Sequence, residues 1–227
     1  MCTSSCIIFG ALSLTKGEVQ DKKIIEIGSY DVNGSFRQLY EPWKPKEYIG
    51  VDIESGPGVD MICNAEDVLK NFGENSFDIV ISTELLEHVE NWRKVISNMK
   101  NICKPDGIII ITTRSKGFPY HGYPYDYWRY EIEDMNRIFS DFIVNKIEND
   151  KYFSGVFLKL RKPTNFIENN LSDYELFSII TNKRVLDIGD MALNNYLRSY
   201  SRKQYIRNKL KYILKKLCII NILCIRR

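Results

Sequence analysis

Residues 107–113, Gly-Ile-Ile-Ile-Ile-Thr-Thr, run almost without polar interruption. A strand with one face in water alternates apolar and polar side chains. A strand apolar throughout is buried on both faces, as at the centre of a parallel sheet covered by helices. Parallel neighbours and connecting helices are therefore required upstream. Residues 23–28, 47–53, 58–64 and 77–82 are further short apolar runs and predict four more strands. Between the second and third, Ser55-Gly56-Pro57-Gly58 is too short and too rich in breakers for a helix. A short helix is expected at 35–40. A longer one is expected after Asn91 as its cap, with Trp92, Val95, Met99 and Ile102 on one face. Lys104-Pro105-Asp106-Gly107 should end it. Residues 131–139 read as helix, and 141–150 and 153–162 as two antiparallel strands. The expected fold is α/β, a mostly parallel sheet with an antiparallel edge hairpin, followed by helices after Pro163. The expected organisation is an N-terminal segment 1–21, a domain 22–163 and a helical, basic extension 164–227.

Composition limits what such a chain can do. Its 227 residues are 44% hydrophobic and 27% charged, which excludes a disordered chain. The net charge of +3 is unevenly spread. Residues 201–227 carry nine Lys or Arg and no Asp or Glu, leaving 23 basic against 29 acidic side chains elsewhere. An acidic body with a basic tail argues against a general nucleic-acid binder. Six cysteines (Cys2, Cys6, Cys63, Cys103, Cys218 and Cys224) form no CxxC pair, so no metal is expected. No Lys or Arg precedes Lys16 and no apolar run reaches ~18 residues. A cytoplasmic location is expected.

The sharpest local signal is Glu26-Ile27-Gly28-Ser29-Tyr30-Asp31-Val32-Asn33-Gly34, at the end of the first strand. Glycine there allows a tight turn and close approach of a ligand. In open parallel sheets, ligands bind outside the carboxyl ends of the strands. The dinucleotide pattern G-x-G-x-x-G is broken by Tyr30, which disfavours a nicotinamide enzyme. An acid before the glycine suits a cationic ligand better than a pyrophosphate. Asp52, ending the second strand, is placed for a ribose diol.

These motifs, with Asn64-Ala65-Glu66-Asp67, residues 77–89 and the Lys104–Thr113 turn and strand, resemble the class I S-adenosylmethionine-dependent methyltransferases, type 11-like. The resemblance covers about residues 22–162 and implies a Rossmann-like fold with S-adenosylmethionine as cofactor. It implies that Glu26 orients the methionine amine, Gly28 and Gly34 line its backbone, and Asp52 holds the ribose. Asn64 and Ala65 would meet the adenine, and Thr83 at the end of the fourth strand would complete the pocket. The helix usual between the second and third strands is missing, and Asn64 stands where Asp is common. The expected function is methyl transfer to a small-molecule or glycan-precursor acceptor. A non-catalytic methyltransferase-like binding module is the alternative. A second motif-like run, Arg184 to Asp190, lacks a following strand acid and reads as a short strand or helix junction.

For the acceptor, the chain's two histidines, His88 and His121, follow the fourth and fifth strands. His121 is the expected base, with His88 as a second candidate or a brace for its helix. Residues 114–130 hold five tyrosines, one Trp and one Phe, and should fold over the site. The loop resembles the H-x-x-P-x-D-Y-W-R loop of methyltransferase-like proteins linked with glycan biosynthesis. Tyr123, Asp126, Tyr127 and Arg129 are the expected acceptor contacts, Asp126 and Arg129 reading foremost as a local ion pair. Glu84 and Glu87 read equally as solvated carboxylates at a helix start. From Tyr205, the positions Ile206, Leu210, Ile213, Leu214, Leu217 and Ile220 follow helical spacing. Such a tail suits a homodimer, its own domain, or the inner surface of a membrane.

Overall fold

A computed structural model describes residues 3–122 and 124–224, with side chains placed through Lys211. The chain divides between Leu186 and Asp187 into two compact units. The first unit opens with α1 (Ser4–Ser13), α2 (Lys16–Val19), β1 (Lys23–Ile27), α3 (Arg37–Tyr40), β2 (Glu47–Asp52) and β3 (Met61–Ile62). It continues with α4 (Val68–Phe72), β4 (Phe77–Thr83), α5 (Trp92–Ile102), β5 (Cys103–Arg114), β6 (Trp128–Arg129) and α6 (Ile132–Ile138). The strands β7 (Ile143–Asn149), β8 (Gly155–Arg161), β9 (Leu176–Ser178) and β10 (Lys183–Val185) follow. Seven strands form one sheet in the order β3-β2-β1-β4-β5-β8-β7. The first five run parallel, and β8 and β7 form the expected antiparallel hairpin at one side.

The central strands are apolar because both sheet faces are covered. Ile24, Ile79, Ile81, Ile108 and Ile110 pack with Phe9, Phe36, Tyr40 and Phe157 on one face. Their alternates Ile25, Ile27, Val80, Ile109 and Ile111 are equally buried. The helix α5 lies against β4 and β5. Asn91 caps it by accepting from the Lys94 amide, and Trp92, Val95, Met99 and Ile102 are all fully buried, as expected. The residues before β1 are more than a leading segment. Cys6, Phe9, Leu14 and Val19 belong to the same core as the sheet.

Three expectations need correction. The third strand is only Met61–Ile62. Before it, the exposed Asp60 carboxylate accepts from the Gly50 amide at 2.7 Å and pairs with Arg37, which holds those residues in a loop. The helix α5 ends at Ile102, just before Lys104-Pro105-Asp106-Gly107 as expected, but β5 begins at Cys103 instead of Gly107. The helix passes directly into β5, with a register shift absorbed between Phe77 and Ile79. Residues 164–186 hold no helix. They contribute β9 and β10, which join β6 in a second, antiparallel sheet. The motif-like run from Arg184 thus begins as a short strand.

The second unit contains one helix, α7 (Asp190–Cys224), of 35 residues. Ile206 and Leu210 are exposed on it. The apolar positions from Ile213 onward lie outside the described side chains. No helix among the described residues is long and apolar enough to cross a membrane.

The carboxyl of Glu26 in β1 is buried, which pushes it up to about 7, although the Tyr48 and Ser35 hydroxyls donate to it at 2.7 and 3.1 Å. In the unfolded chain it titrates near ~4.3. Between those values the folded state holds more protons, so this group's contribution falls as pH rises and levels off above neutrality. Comparison with Glu26→Gln isolates the effect. The stability of wild type relative to the variant should drop by about 3 kcal/mol from pH 4 to 8, read from urea denaturation.

Candidate active site

The topology leaves a crevice where β1 is flanked by β2 on one side and β4 on the other. A cavity of about 640 Å³ opens there. Its walls come from the loops after β1, β2, β3 and β4 and from the aromatic loop after β5. Gly28 lies on its floor with φ +80, and a Cβ there would meet the Leu85 side chain at 3.0 Å. Only glycine fits that turn without strain. Its amide donates to the Val51 carbonyl at 2.9 Å, locking the loop after β1 to β2.

Of the expected cofactor residues, Gly28, Asp52, Asn64, Ala65 and Thr83 all line this cavity. Asp52 is half-buried at the end of β2, and its carboxylate accepts from the Tyr30 amide at 3.1 Å. Each carboxylate oxygen retains lone-pair capacity for a ligand. The Asn64 side chain caps the following turn through the Glu66 amide, and Asn98 of α5 holds the Ala65 carbonyl at 2.9 Å. Glu26 and Gly34 do not line the cavity. The Glu26 carboxyl is engaged with Ser35 and Tyr48, and Gly34 sits against Ile7 while its amide donates to Asp31.

The aromatic loop folds over the cavity as expected, and backbone-directed hydrogen bonds fix it. The Tyr127 amide donates to the Glu87 carbonyl at 2.7 Å, and Trp128 Nε1 donates to the Glu90 carbonyl at 3.1 Å. The Tyr130 hydroxyl donates to the Leu86 carbonyl at 3.1 Å. The Ile179 amide, following β9, donates to the Tyr127 carbonyl from behind. His88, His121 and Tyr127 line the cavity, joined by Tyr125, which the sequence reading did not single out. Tyr123 lies outside the described residues.

Asp126 and Arg129 form a bidentate pair at 2.5 and 2.7 Å, fully buried and away from the cavity lining. They shape the loop, as the ion-pair reading expects, and their burial corrects the expectation that they contact the acceptor. Arg129 also reaches the Phe118 and Pro119 carbonyls, so one guanidinium holds both arms of the loop.

Glu84 and Glu87 are not solvated. Glu84 is 4% exposed, takes the unusual φ of +54, and is paired with Arg114. Glu87 is fully buried and accepts from Thr113 Oγ1 at 2.8 Å through Oε2. Burial alone would raise the Glu87 carboxyl, but His121 and His88 beside it outweigh that and hold it well below the usual carboxylate range. His121 stands between two carboxylates, with Nδ1 at 2.9 Å from Asp126 and Nε2 at 3.7 Å from Glu87. Burial would lower this imidazole, yet the two carboxylates carry it up to about 9. Both ring nitrogens of His121 thus face a carboxylate. His88 Nδ1 lies 2.6 Å from the Tyr125 carbonyl. A carbonyl only accepts, so Nδ1 carries the hydrogen and, in the neutral ring, Nε2 carries the lone pair.

Comparison with known proteins agrees with this geometry. Residues 11–147 match a family described as a methyltransferase domain. A ubiquinone biosynthesis O-methyltransferase of Parvibaculum lavamentivorans is 26% identical over 144 residues, covering 62% of this chain and 54% of that protein. The chain thus spans about half the length of this curated relative. Among solved structures, an S-adenosylmethionine-dependent methyltransferase from Mesorhizobium loti aligns with TM-score 0.55 and 15% identity, over 70% of this chain and 98% of that one. The 1,6-didemethyltoxoflavin-N1-methyltransferase of Burkholderia thailandensis, solved with its substrate and S-adenosylhomocysteine, aligns with TM-score 0.56 and 13% identity. The aligned region covers 70% of this chain and 79% of that one. These two likenesses establish the fold.

Because Arg129 is buried with Asp126 as its counter-charge, Asp126→Asn should cost about 3–5 kcal/mol in urea denaturation. A loss near zero would show that the pair does not hold the loop.

Proposed function

The chain belongs to the methyltransferase-domain family, and from that membership we propose that it transfers a methyl group from S-adenosylmethionine to a small-molecule or glycan-precursor acceptor. One observation carries this reading. A single cavity gathers Gly28, Asp52, Asn64, Ala65 and Thr83 from the ends of four strands and the turns after them, together with His88, Tyr125 and Tyr127. Its volume of about 640 Å³ is in the range of small-molecule sites. The donor and acceptor character of its lining fits the cofactor. Asp52 can accept from both hydroxyls of a ribose, and the Asn64–Ala65 turn borders the end where an adenine would lie.

The cofactor, when bound, supplies a methyl group already activated by a sulfonium. The chain's part is to hold donor and acceptor in line and to exclude water. Gly28 lets the backbone approach the ligand, and Asp52 fixes the sugar. Tyr125 and Tyr127 border the acceptor end with aromatic faces and polar tips, which suit a small polar ring. The names of the toxoflavin-precursor and ubiquinone enzymes support a small acceptor.

Isothermal titration calorimetry with S-adenosylhomocysteine tests the reading. Wild type should bind, and Asp52→Ala should weaken binding roughly 10- to 100-fold, the loss of hydrogen bonds to a charged group. Absence of binding to wild type would overturn it.

A further inference from the structure

The buried Glu87 side chain presents a problem that the cofactor reading does not solve. Its Oε2 is satisfied by Thr113, but Oε1 is buried with no hydrogen-bond partner among the described residues. Such an atom costs free energy unless something comes to it. Two imidazole nitrogens face it, His121 Nε2 at 3.7 Å and His88 Nε2 at 4.0 Å, both too far for a hydrogen bond. One atom from each of the three side chains lies within 4.8 Å of the others, the span of a shared metal ion.

The surroundings match what metal ligands need. A ligating histidine commonly gives its other ring nitrogen to a carboxylate or a backbone carbonyl, which fixes the ring and aims the free nitrogen. Here the Nδ1 of His121 is held by Asp126 at 2.9 Å and that of His88 by the Tyr125 carbonyl at 2.6 Å. Glu87 is aimed by Thr113 at 2.8 Å. All three candidate ligands are therefore oriented by separate partners and their facing atoms converge, so an incoming ion would take the place of the proton on His121 Nε2. No such set was expected from the sequence, because Glu87 and His88 are adjacent while His121 comes from another loop.

We propose that Glu87, His88 and His121 form a site for one divalent transition-metal ion at the edge of the cavity. Two imidazoles and one carboxylate suit a first-row ion such as zinc, cobalt or iron(II) better than magnesium or calcium. Three protein ligands leave coordination positions open, the arrangement of sites that engage a ligand rather than brace a fold. Those positions would serve water or an oxygen of the acceptor. This last clause rests on the methyltransferase reading, whereas the metal site itself stands on geometry alone.

The test uses the full chain, treated with chelator and titrated with cobalt(II) and then zinc(II). One cobalt per chain should bind, with visible d–d bands and no thiolate charge-transfer band. Glu87→Gln and His121→Ala should each weaken binding at least 10-fold. Since the chain has two histidines, zinc should shift the Nε2 resonances of both rings in a nitrogen-15 NMR spectrum of wild type, a reading independent of whether a variant folds. Failure of both ions to bind, a thiolate band, or unshifted histidine resonances would overturn the site. Calorimetry with S-adenosylhomocysteine on the same chelated protein separates the outcomes. Metal binding without cofactor binding would sink the methyltransferase reading alone, and the reverse would sink the metal site alone.

Discussion

A carboxylate taken out of water has to be met by donors or by positive charge, and the buried Glu87 sets that requirement for the loops around it. Thr113 reaches it from β5, and the two imidazoles approach from the loops that follow β4 and β5. The backbone carbonyl of the same residue takes the Tyr127 amide, so one residue anchors the aromatic loop through its main chain and its side chain together. Asp126 then fixes His121 and is itself neutralised by Arg129. A chain of alternating charges runs from Glu87 outward, and each member is tolerable in the interior only because of the next.

The sheet was legible because burial on two faces leaves a plain trace. The isoleucine run in β5 and the β-branched stretches before it admit few arrangements, and the four central parallel strands fall where periodicity puts them. The site was partly legible for the same reason. In a parallel sheet, residues that end successive strands must meet at one edge, which is how Gly28, Asp52 and Thr83 come together. What could not be read was the surroundings of each buried acid. Glu26 and Glu87 are both acids following apolar residues. One turned out to be occupied by Ser35 and Tyr48 beneath the sheet edge, and the other faces two histidines. Sequence spacing carries no information on which of those environments a buried acid meets.

The segment after Pro163 failed for a different reason. Leu176 to Ser178 is a three-residue strand, too short to show a period, and its partner β6 is two residues long. Such strands exist because the tertiary context supplies their pairing, not because of local propensity. A signal did exist in the exposed polarity of residues 164–175, which suits an irregular crossing better than a helix.

The pairing of β9 with β6 also orders events in time. A ribosome delivers the chain from its amino end, so every parallel strand and the whole aromatic loop leave before residues 176–178 do. Until then, the Tyr127 carbonyl lacks the Ile179 amide that holds it from behind. The sheet can be complete while the roof of the cavity still waits for its backing. A nascent chain that stalls before Ile179 has every bond that ties the loop to residues 86–90, yet lacks the one that reaches Tyr127 from the second sheet.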